Sequence, residues 1–361
     1  MKEIDINKIW MISDIHFGIR SNSMEWLEIH KTYFNKFFIP LLKEKKENND
    51  VLFILGDIFE SRQSINILVL NEALRIFKEI AKIIPIYIVI GNHDCYRKTT
   101  TNINSPVILK LLENIKVFEK PDVILTKSGK RLLIMPWEES LEKEEIIVQN
   151  NDADYLFCHT HFGGLNYNRK VIIDEGIDFD KVKKFKKVYS GHIHYSQRRQ
   201  NVEMIGSIMQ LTRSDIDNKK RILILDPDTG EEIIYINDYS PQFKKFKIDD
   251  ILNISHKEFE EKIKNNFVDI IVENNWVSKF PYAQLIDSLS GYNKINYILS
   301  SLQKEYEDDD IDIDNINLDN LTEHYIKSLN YSNTLTEKLL DVSGKLYDKA
   351  IRYLQEKTLS D

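Results

Sequence analysis

The stretch Ile86-Tyr87-Ile88-Val89-Ile90-Gly91-Asn92-His93-Asp94 is a short apolar run that stops on a glycine and three polar side chains. Four of its first five residues are β-branched, the pattern of a strand buried on both faces. The same form recurs four times. Residues 9–13 run into Asp14-Ile15-His16, 51–55 into Gly56-Asp57, 155–158 into His159, and 188–190 into Gly191-His192-Ile193-His194. Helical patterns lie between them at 26–45, 65–82 and 107–112, the last opening on Ser105-Pro106 as N-cap and first helical residue. Strands alternating with helices predict an α/β fold with the strands of one sheet aligned. Ligands of such sheets gather beyond the carboxyl ends of the strands, where all five motifs sit.

Each motif alone reads as an ordinary turn; the ordered set of five does not. Asp14, His16, Asp57, Asn92, His159, His192 and His194 are the oxygen and nitrogen donors that divalent transition metals take. A pair of such metals is the standard device for breaking a phosphate ester. Asp14 and His16 are two apart, as are His192 and His194, so in extended backbone each pair faces one region. Asp57 has two carboxylate oxygens and can bridge two cations, while Asn92 binds through a neutral amide oxygen. That combination leaves residual positive charge to acidify a shared water. Gly56, Gly91 and Gly191 precede ligands, where a missing β-carbon lets the chain turn or a phosphate approach. His161, two past His159, is the alternative donor; His159 is preferred because it ends the apolar run. His30, His256 and His324 fall in helical or linker stretches and read as ordinary surface or boundary residues.

The composition bounds the rest. With 361 residues there is room for two or three domains, and 42% hydrophobic with 29% charged residues is a globular balance. No apolar run nears the roughly 20 residues of a membrane span. The start, Met1-Lys2-Glu3-Ile4-Asp5, does not read as a secretory signal. Cys95 and Cys158 form no disulfide scaffold, read as buried small hydrophobes, and fit a reducing cytoplasm. A net charge of −8 argues against a freestanding nucleic-acid binder. The acid is concentrated, however: residues 241–361 hold 15 basic and 22 acidic side chains, the first 240 hold 34 and 35.

Further strands are expected at 130–137 and 202–205. A hairpin of 221–225 and 232–236, turning at Asp226-Pro227-Asp228-Thr229-Gly230, closes a first domain of residues 1–240. Residues 241–300 read as a small mixed unit with helices near 257–265 and 282–289 and a strand at 268–272. Residues 301–361 read as an acidic linker and a helix. On that helix Leu335, Leu339, Val342, Leu346, Ala350 and Tyr353 form a narrow apolar stripe, to dock on its own protein or in a partner's groove.

The ordered set Asp-x-His, Gly-Asp, Gly-Asn-His-Asp, His and Gly-His-x-His resembles the calcineurin-like metallophosphoesterase superfamily over residues 10 to about 210. Gly56-Asp57-Ile58-Phe59-Glu60, Met135-Pro136-Trp137-Glu138-Glu139, Val188-Tyr189-Ser190-Gly191-His192, and Ile205-Gly206-Ser207 with Leu211-Thr212 are similar to its nuclease branch. They look most like the SbcD-type nuclease subunit that works with an SMC-like ATPase in double-strand-break repair, and closest to the T-even-like phage recombination endonuclease subunits. The resemblance implies a four-layer α/β/β/α sandwich with a small α+β capping domain over a DNA cleft and C-terminal helices gripping the ATPase coiled coil. It implies two manganese ions, with magnesium as the alternative. One is held by Asp14, His16, Asp57 and His194, the other by Asp57, Asn92, His159 and His192. His93 then orients the scissile phosphate or protonates the leaving oxygen, and Asp94 holds His93 or caps a turn. Glu60 stands where aspartate or histidine is commoner, which leaves its part open. A homodimer through residues 65–82 and 107–115 is implied, as is cytoplasmic work in a bacterial cell or a phage-infected host.

The reading is therefore a two-metal DNA exonuclease or endonuclease acting on double-stranded ends and single strands, with an SMC-like ATPase and no membrane. Its rivals are a phosphodiesterase or phosphatase for small phosphoesters and a non-catalytic scaffold for the ATPase. Candidate DNA-contacting elements are Arg97-Lys98, residues 181–187, Arg198-Arg199 and Lys219-Lys220-Arg221.

Overall fold

The apolar runs form strands because successive side chains enter two different cores. Ile9 and Met11 point into one apolar layer, Trp10 and Ile12 into another. Val51, Phe53 and Leu55 alternate in the same way with Leu52 and Ile54. A strand buried on both faces needs no polar alternation. The computed structural model describes residues 3–96, 100–247, 250–251, 254–272 and 295–299, with Lys338 and Val342 beyond them.

In chain order the strands are β1 (Glu3–Ile4), β2 (Ile9–Ile12), β3 (Val51–Leu55), β4 (Ile86–Val89), β5 (Ile115–Phe118), β6 (Asp122–Thr126), β7 (Arg131–Met135) and β8 (Tyr155–His159). There follow β9 (Lys187–Gly191), β10 (Gln197–Arg199), β11 (Val202–Met204), β12 (Arg221–Leu225), β13 (Glu232–Ile236), β14 (Phe243–Lys247), β15 (Phe267–Val272) and β16 (Ile295–Leu299). One sheet has the order β13-β12-β2-β3-β4-β5, another β1-β6-β7-β8-β9-β11-β10. The aligned strands expected in one sheet are thus shared between two, each with its own parallel run. Strand–helix alternation cannot distinguish the cases, because both sheets are built from the same units.

The sheets face each other across Met11, Phe53, Val89, Leu132, Phe157 and Tyr189. Helices α1 (Met24–Tyr33), α2 (Ile39–Lys45) and α3 (Ile67–Ala81) cover the first sheet; α4 (Leu141–Asn150) and α5 (Phe179–Val182) cover the second. This is the four-layer α/β/β/α order. The helix expected over 26–45 contains Pro40, which has no N–H to donate, and the chain widens into a π-helical turn at Phe34–Phe38 before α2 resumes. The helix expected at 107–112 is a 3-10 helix, Ser105–Leu111, preceded by Asn104 and not capped by Ser105. The Ser105 hydroxyl lies 3.4 Å from an Asp94 oxygen instead.

Beyond the hairpin of β12 and β13, β14 and β15 pair in parallel around α6 (His256–Ile263), and β16 pairs in parallel with β15. Trp26 stacks on Phe267 at 5.2 Å, and Arg213 is bidentate on Asp269, which tie these strands to α1 and to the segment before β12. The helix expected at 282–289, the acidic linker and the terminal stripe lie outside the described residues, apart from an exposed Val342. Among the described residues no helix is long and apolar enough to cross a membrane.

Candidate metal centre

The five motifs meet where both sheets present carboxyl ends. Asp14 and His16 follow β2, Asp57 follows β3, Asn92 to Asp94 follow β4, His159 ends β8, and His192 and His194 follow β9. Four of these residues have left-handed backbone: Asp14, His16, Asp57 and His192, with φ of 51°, 53°, 54° and 82°. Non-glycine residues avoid that region, and it persists only where surroundings enforce it. Here the Asp57 carbonyl accepts N–H bonds from both Ile15 and His16, at 2.9 and 3.0 Å, and Gly56 accepts from Asp14 at 3.1 Å. Gly91 has no room for a side chain: a β-carbon would stand 2.2 Å from an Asp57 oxygen.

Most of the donors fall into two adjacent groups, linked by Asp57. Ligand atoms of Asp14, His16 and His194 lie within 4.8 Å of one another, and so do those of Asp57, His159 and His192. His16 Nε2 and His194 Nε2 face each other at 3.0 Å, and Asp57 Oδ2 is 3.7 Å from His16 Nε2 and 3.3 Å from His159 Nε2. Asn92 Oδ1 lies 3.0 Å from His159 Nε2 and 2.7 Å from His192 Nδ1. His161 lies beside the centre, its ring 5.1 Å from that of His192, and it joins neither donor group.

This donor set fits divalent cations. His159 Nδ1 donates to the Leu55 carbonyl at 2.6 Å, which leaves Nε2 a bare lone pair aimed at two oxygens. Asp14 Oδ2 is buried with no hydrogen-bond partner. Lone pairs converging in this way call for positive charge. Protons answer part of the call. Burial opposes a charged His16, yet Glu60, Asp57 and Asp14 lift its pKa to about 9. Burial likewise opposes a charged His159, and Asp57 and Asp14 lift it to about 9. Burial also works against Asp57, but His159, His93 and His16 hold its carboxyl well below the usual range.

His93 stands at the rim. Its N–H donates to Asp57 Oδ1 at 2.8 Å, and its Nδ1 lies 2.9 Å from the Glu60 carbonyl. The ring therefore offers Nε2 outward, about a quarter exposed, edge-on to His16 at 4.9 Å. Asp94 does not touch it. The Asp94 carboxylate accepts from the backbone of Gly91, Asp57 and Ile58 at 2.9 to 3.0 Å, which is the turn-holding arrangement of the two expected. Burial and the neighbouring Asp57 push its pKa up to about 7. Glu60, whose part the sequence left open, accepts from His16 Nδ1 and fixes that ring with Nε2 toward the centre.

Two supporting residues escaped the sequence reading. His30 is fully buried, not at a surface or boundary. Its Nε2 lies 2.7 Å from the carbonyl of Ile15, between Asp14 and His16. The spacing of Trp26 and His30, one helical turn apart, is a weak signal that could have found it. Lys220 is also buried, paired with Asp215 at 2.5 Å and donating to the His194 carbonyl at 2.6 Å. It is a strut, not a DNA contact. Several other candidate basic side chains are paired within the chain, at more exposed positions. Arg198 and Arg221 share Glu203, Lys186 and Lys187 pair with Asp154 and Glu232, and Lys184 donates to two backbone carbonyls. Arg97-Lys98 lies outside the described residues. Both cysteines are buried, and burial pushes their thiols up, Cys95 to about 12.

The chain belongs to the calcineurin-like phosphoesterase family, whose model matches residues 7–196. It is similar to exonuclease subunit 1 of Enterobacteria phage T4, 24% identical over 95% of this chain and 99% of that protein. It is also 26% identical to the putative phosphoesterase 244L of Invertebrate iridescent virus 6, over 63% of this chain and 80% of the other. Among solved structures, an archaeal phosphodiesterase overlaps 63% of this chain and 99% of its own at 13% identity, with a TM-score of 0.35. The site is thus that of a metal-dependent phosphoesterase.

Proposed function

We propose that this protein is a two-metal DNA nuclease that hydrolyses phosphodiester bonds at DNA ends and in single strands. The observation that carries the proposal is the convergence of seven donors from both sheets, Asp57 lying between the two groups, with bare lone pairs facing inward. One cation is assigned to Asp14, His16, Asp57 and His194, the other to Asp57, Asn92, His159 and His192. Manganese suits this mixture of nitrogen and oxygen donors, with magnesium as the alternative. When bound, the pair supplies the positive charge that activates water and stabilises the transition state of an in-line displacement.

The chain's own residues do the rest. Asp57 spans both donor groups. Glu60 and the Leu55 carbonyl set the tautomers of His16 and His159. His93, with Nδ1 fixed on the Glu60 carbonyl, turns Nε2 to the phosphate, where it orients the ester or, once protonated against the burial that lowers its pKa, gives that proton to the leaving sugar oxygen. Asp94 is a positioning residue.

Exonuclease action alongside another subunit is favoured by the T4 relative, which is described as an exonuclease subunit and is matched along nearly its whole length; DNA as the substrate and an SMC-like ATPase as the partner are our assignment from the motif resemblance. A homodimer is favoured by exposed apolar side chains on the two helices that follow the second and third motifs: Ile67, Leu68, Val107 and Leu111. We assign residues 241–300 to the capping domain and 301–361 to ATPase binding, and place the protein in the cytoplasm of a bacterial cell or infected host. The small-phosphoester reading is favoured by one observation, that most of the basic clusters conspicuous in sequence are engaged internally.

The test is digestion of end-labelled DNA in manganese, with and without the partner ATPase, by wild type and Asp57→Asn. Wild type should degrade DNA and the variant should not. Cleavage by Asp57→Asn at near wild-type rates would refute the bridging assignment, and activity on small esters alone would favour the rival reading.

A further inference from the structure

The peptide bond between Asn92 and His93 joins a metal donor to the group assigned to the phosphate, and the chain that follows β3 holds both ends of it. His93 Nδ1 lies 2.9 Å from the Glu60 carbonyl, and Arg62 Nε donates to the Asn92 carbonyl at 3.2 Å. Ser61 turns the segment, its hydroxyl accepting from the backbone of Gln63 and Ser64 at 3.4 and 3.3 Å. The side chain of Asn92 reaches the donors, with Oδ1 2.7 Å from His192 Nδ1. Ligand atoms of His16, Glu60 and His93 lie within 4.8 Å of one another. The Arg62 guanidinium is thus tied by one hydrogen bond to the backbone that carries a metal donor and the rim histidine.

Other arginines of the first domain are paired with carboxylates: Arg75 with Glu72, Arg169 with Asp217, Arg198 and Arg221 with Glu203, and Arg213 with Asp269. Arg62 is not. Among the described residues no carboxylate pairs with it, and its two terminal amino groups have no hydrogen-bond partner. The acids of the surrounding turns are occupied: Glu60 by His16, Asp57 by the His93 N–H, and Asp94 by the backbone of Gly91, Asp57 and Ile58. Burial lowers the His93 pKa, Asp57 and Glu60 oppose that, and the charges of His16 and Arg62 add to it, so the guanidinium is felt at that ring. A half-buried guanidinium with two donors unanswered is completed by an anion.

We propose that Arg62 is a catalytic residue whose terminal amino groups grip the non-bridging oxygens of the scissile phosphate beside His93. A guanidinium presents N–H donors in one plane, the geometry that phosphate oxygens accept, and the bond from Nε to the Asn92 carbonyl fixes that plane. Its charge gains in effect as negative charge builds on those oxygens. The proposal rests on the phosphodiesterase reading of the metal centre and concerns the phosphate that DNA and small diesters have in common.

The test compares wild type with Arg62→Ala and Arg62→Lys on bis-p-nitrophenyl phosphate and on a single-stranded oligonucleotide, both in manganese. Arg62→Ala should lose about 10²–10³ in kcat on each substrate, the usual cost of one donor to a developing oxyanion. Arg62→Lys keeps the charge without the planar donors and should fall between the other two. Calorimetric titration supplies a readout apart from turnover. Inorganic phosphate should bind manganese-loaded Arg62→Ala about tenfold or more weakly than wild type, as expected for a lost hydrogen bond between charged groups. Manganese itself should bind as it does to wild type, since no ligand is removed. A loss confined to the oligonucleotide overturns the proposal, because Arg62 would then hold a different phosphate. Weaker manganese binding also overturns it, because the tie to Asn92 would then be the whole contribution of Arg62. Wild-type rates in Arg62→Ala overturn it and leave the metal centre standing. Wild type that hydrolyses neither substrate in manganese overturns the phosphodiesterase reading and the proposal together.

Discussion

Asp94 separates a chemical role from an architectural one, and its contacts allow the consequence to be sized. Its two oxygens hold three buried backbone N–H groups, on Gly91, Asp57 and Ile58. A buried donor left without a partner costs about 1–3 kcal/mol. Asp94→Ala strands all three, a loss of about 3–9 kcal/mol against a typical stability of about 5–15 kcal/mol. That variant should be at or past the edge of folding. Asp94→Asn keeps one oxygen and turns an NH2 group toward donors, so one or two bonds fail, at about 2–4 kcal/mol. The loss falls on the turn that carries Asp57. Urea unfolding of the metal-free protein, read by tryptophan fluorescence, measures the first effect; calorimetric titration with manganese measures the second. Asp94→Asn should unfold at lower urea and bind manganese more weakly. Wild-type stability and affinity together with a collapse of DNA cleavage would show that Asp94 acts in the chemistry, and the architectural reading would be wrong.

His93→Asn should bind manganese as wild type does and lose about 10²–10⁴ in cleavage rate, the usual share of a proton-transfer or orienting group; reduced metal binding by titration would make it a ligand. Glu144 is buried against Thr160, whose hydroxyl donates to it at 2.6 Å, and burial lifts its carboxyl to about 7 from an ordinary 4.5. A folded pKa above the unfolded one means stability is greatest below pH 4.5, falls between 4.5 and 7, and is level above; the displacement is worth about 3 kcal/mol. In Glu144→Gln that pH-dependent fall should shrink by about this amount, as measured by urea unfolding of metal-free protein at pH 4.5 and 8, and an unchanged fall would contradict it. Lys220→Met strands Asp215 and the His194 carbonyl and should cost about 3–5 kcal/mol by the same unfolding measurement; a change under about 1 kcal/mol would show that the pair is not needed.

The strands that end at motifs were legible because burial on two faces erases polar alternation, and a continuous run such as 51–55 suits little else than a strand covered on both sides. β5 and β6 were not: Lys116 and Asp122 put charge on short strands with exposed positions, and the pattern fades. The donors could be read by residue type, since few other tasks gather aspartate, asparagine and histidine at strand ends. Their supports could not. His30 looks like any helical histidine until the Ile15 carbonyl is brought to it. Lysine and arginine were read least well, because what a cation does depends on carboxylates distant in sequence. Lys220 meets Asp215, but Arg198 and Arg221 meet Glu203 and Glu232, and Arg213 meets Asp269. A basic run in sequence is therefore a poor guide to a basic surface.

The cost of the centre explains where the buried polar residues lie. Each of the four left-handed ligand positions is worth about 1–3 kcal/mol of strain. His16 against His194, and His159 against Asn92, add lone-pair confrontations that only a proton or a cation relieves. A fold can keep such a site only if something stiffer surrounds it. Asp94, His30, Glu60 and Lys220 each grip a ligand or the backbone between ligands, and three apolar cores stand behind them. Chemistry on phosphate esters follows from that stiff inner arrangement, which could serve many substrates. Choice among substrates must come from elements that touch the centre only at their roots.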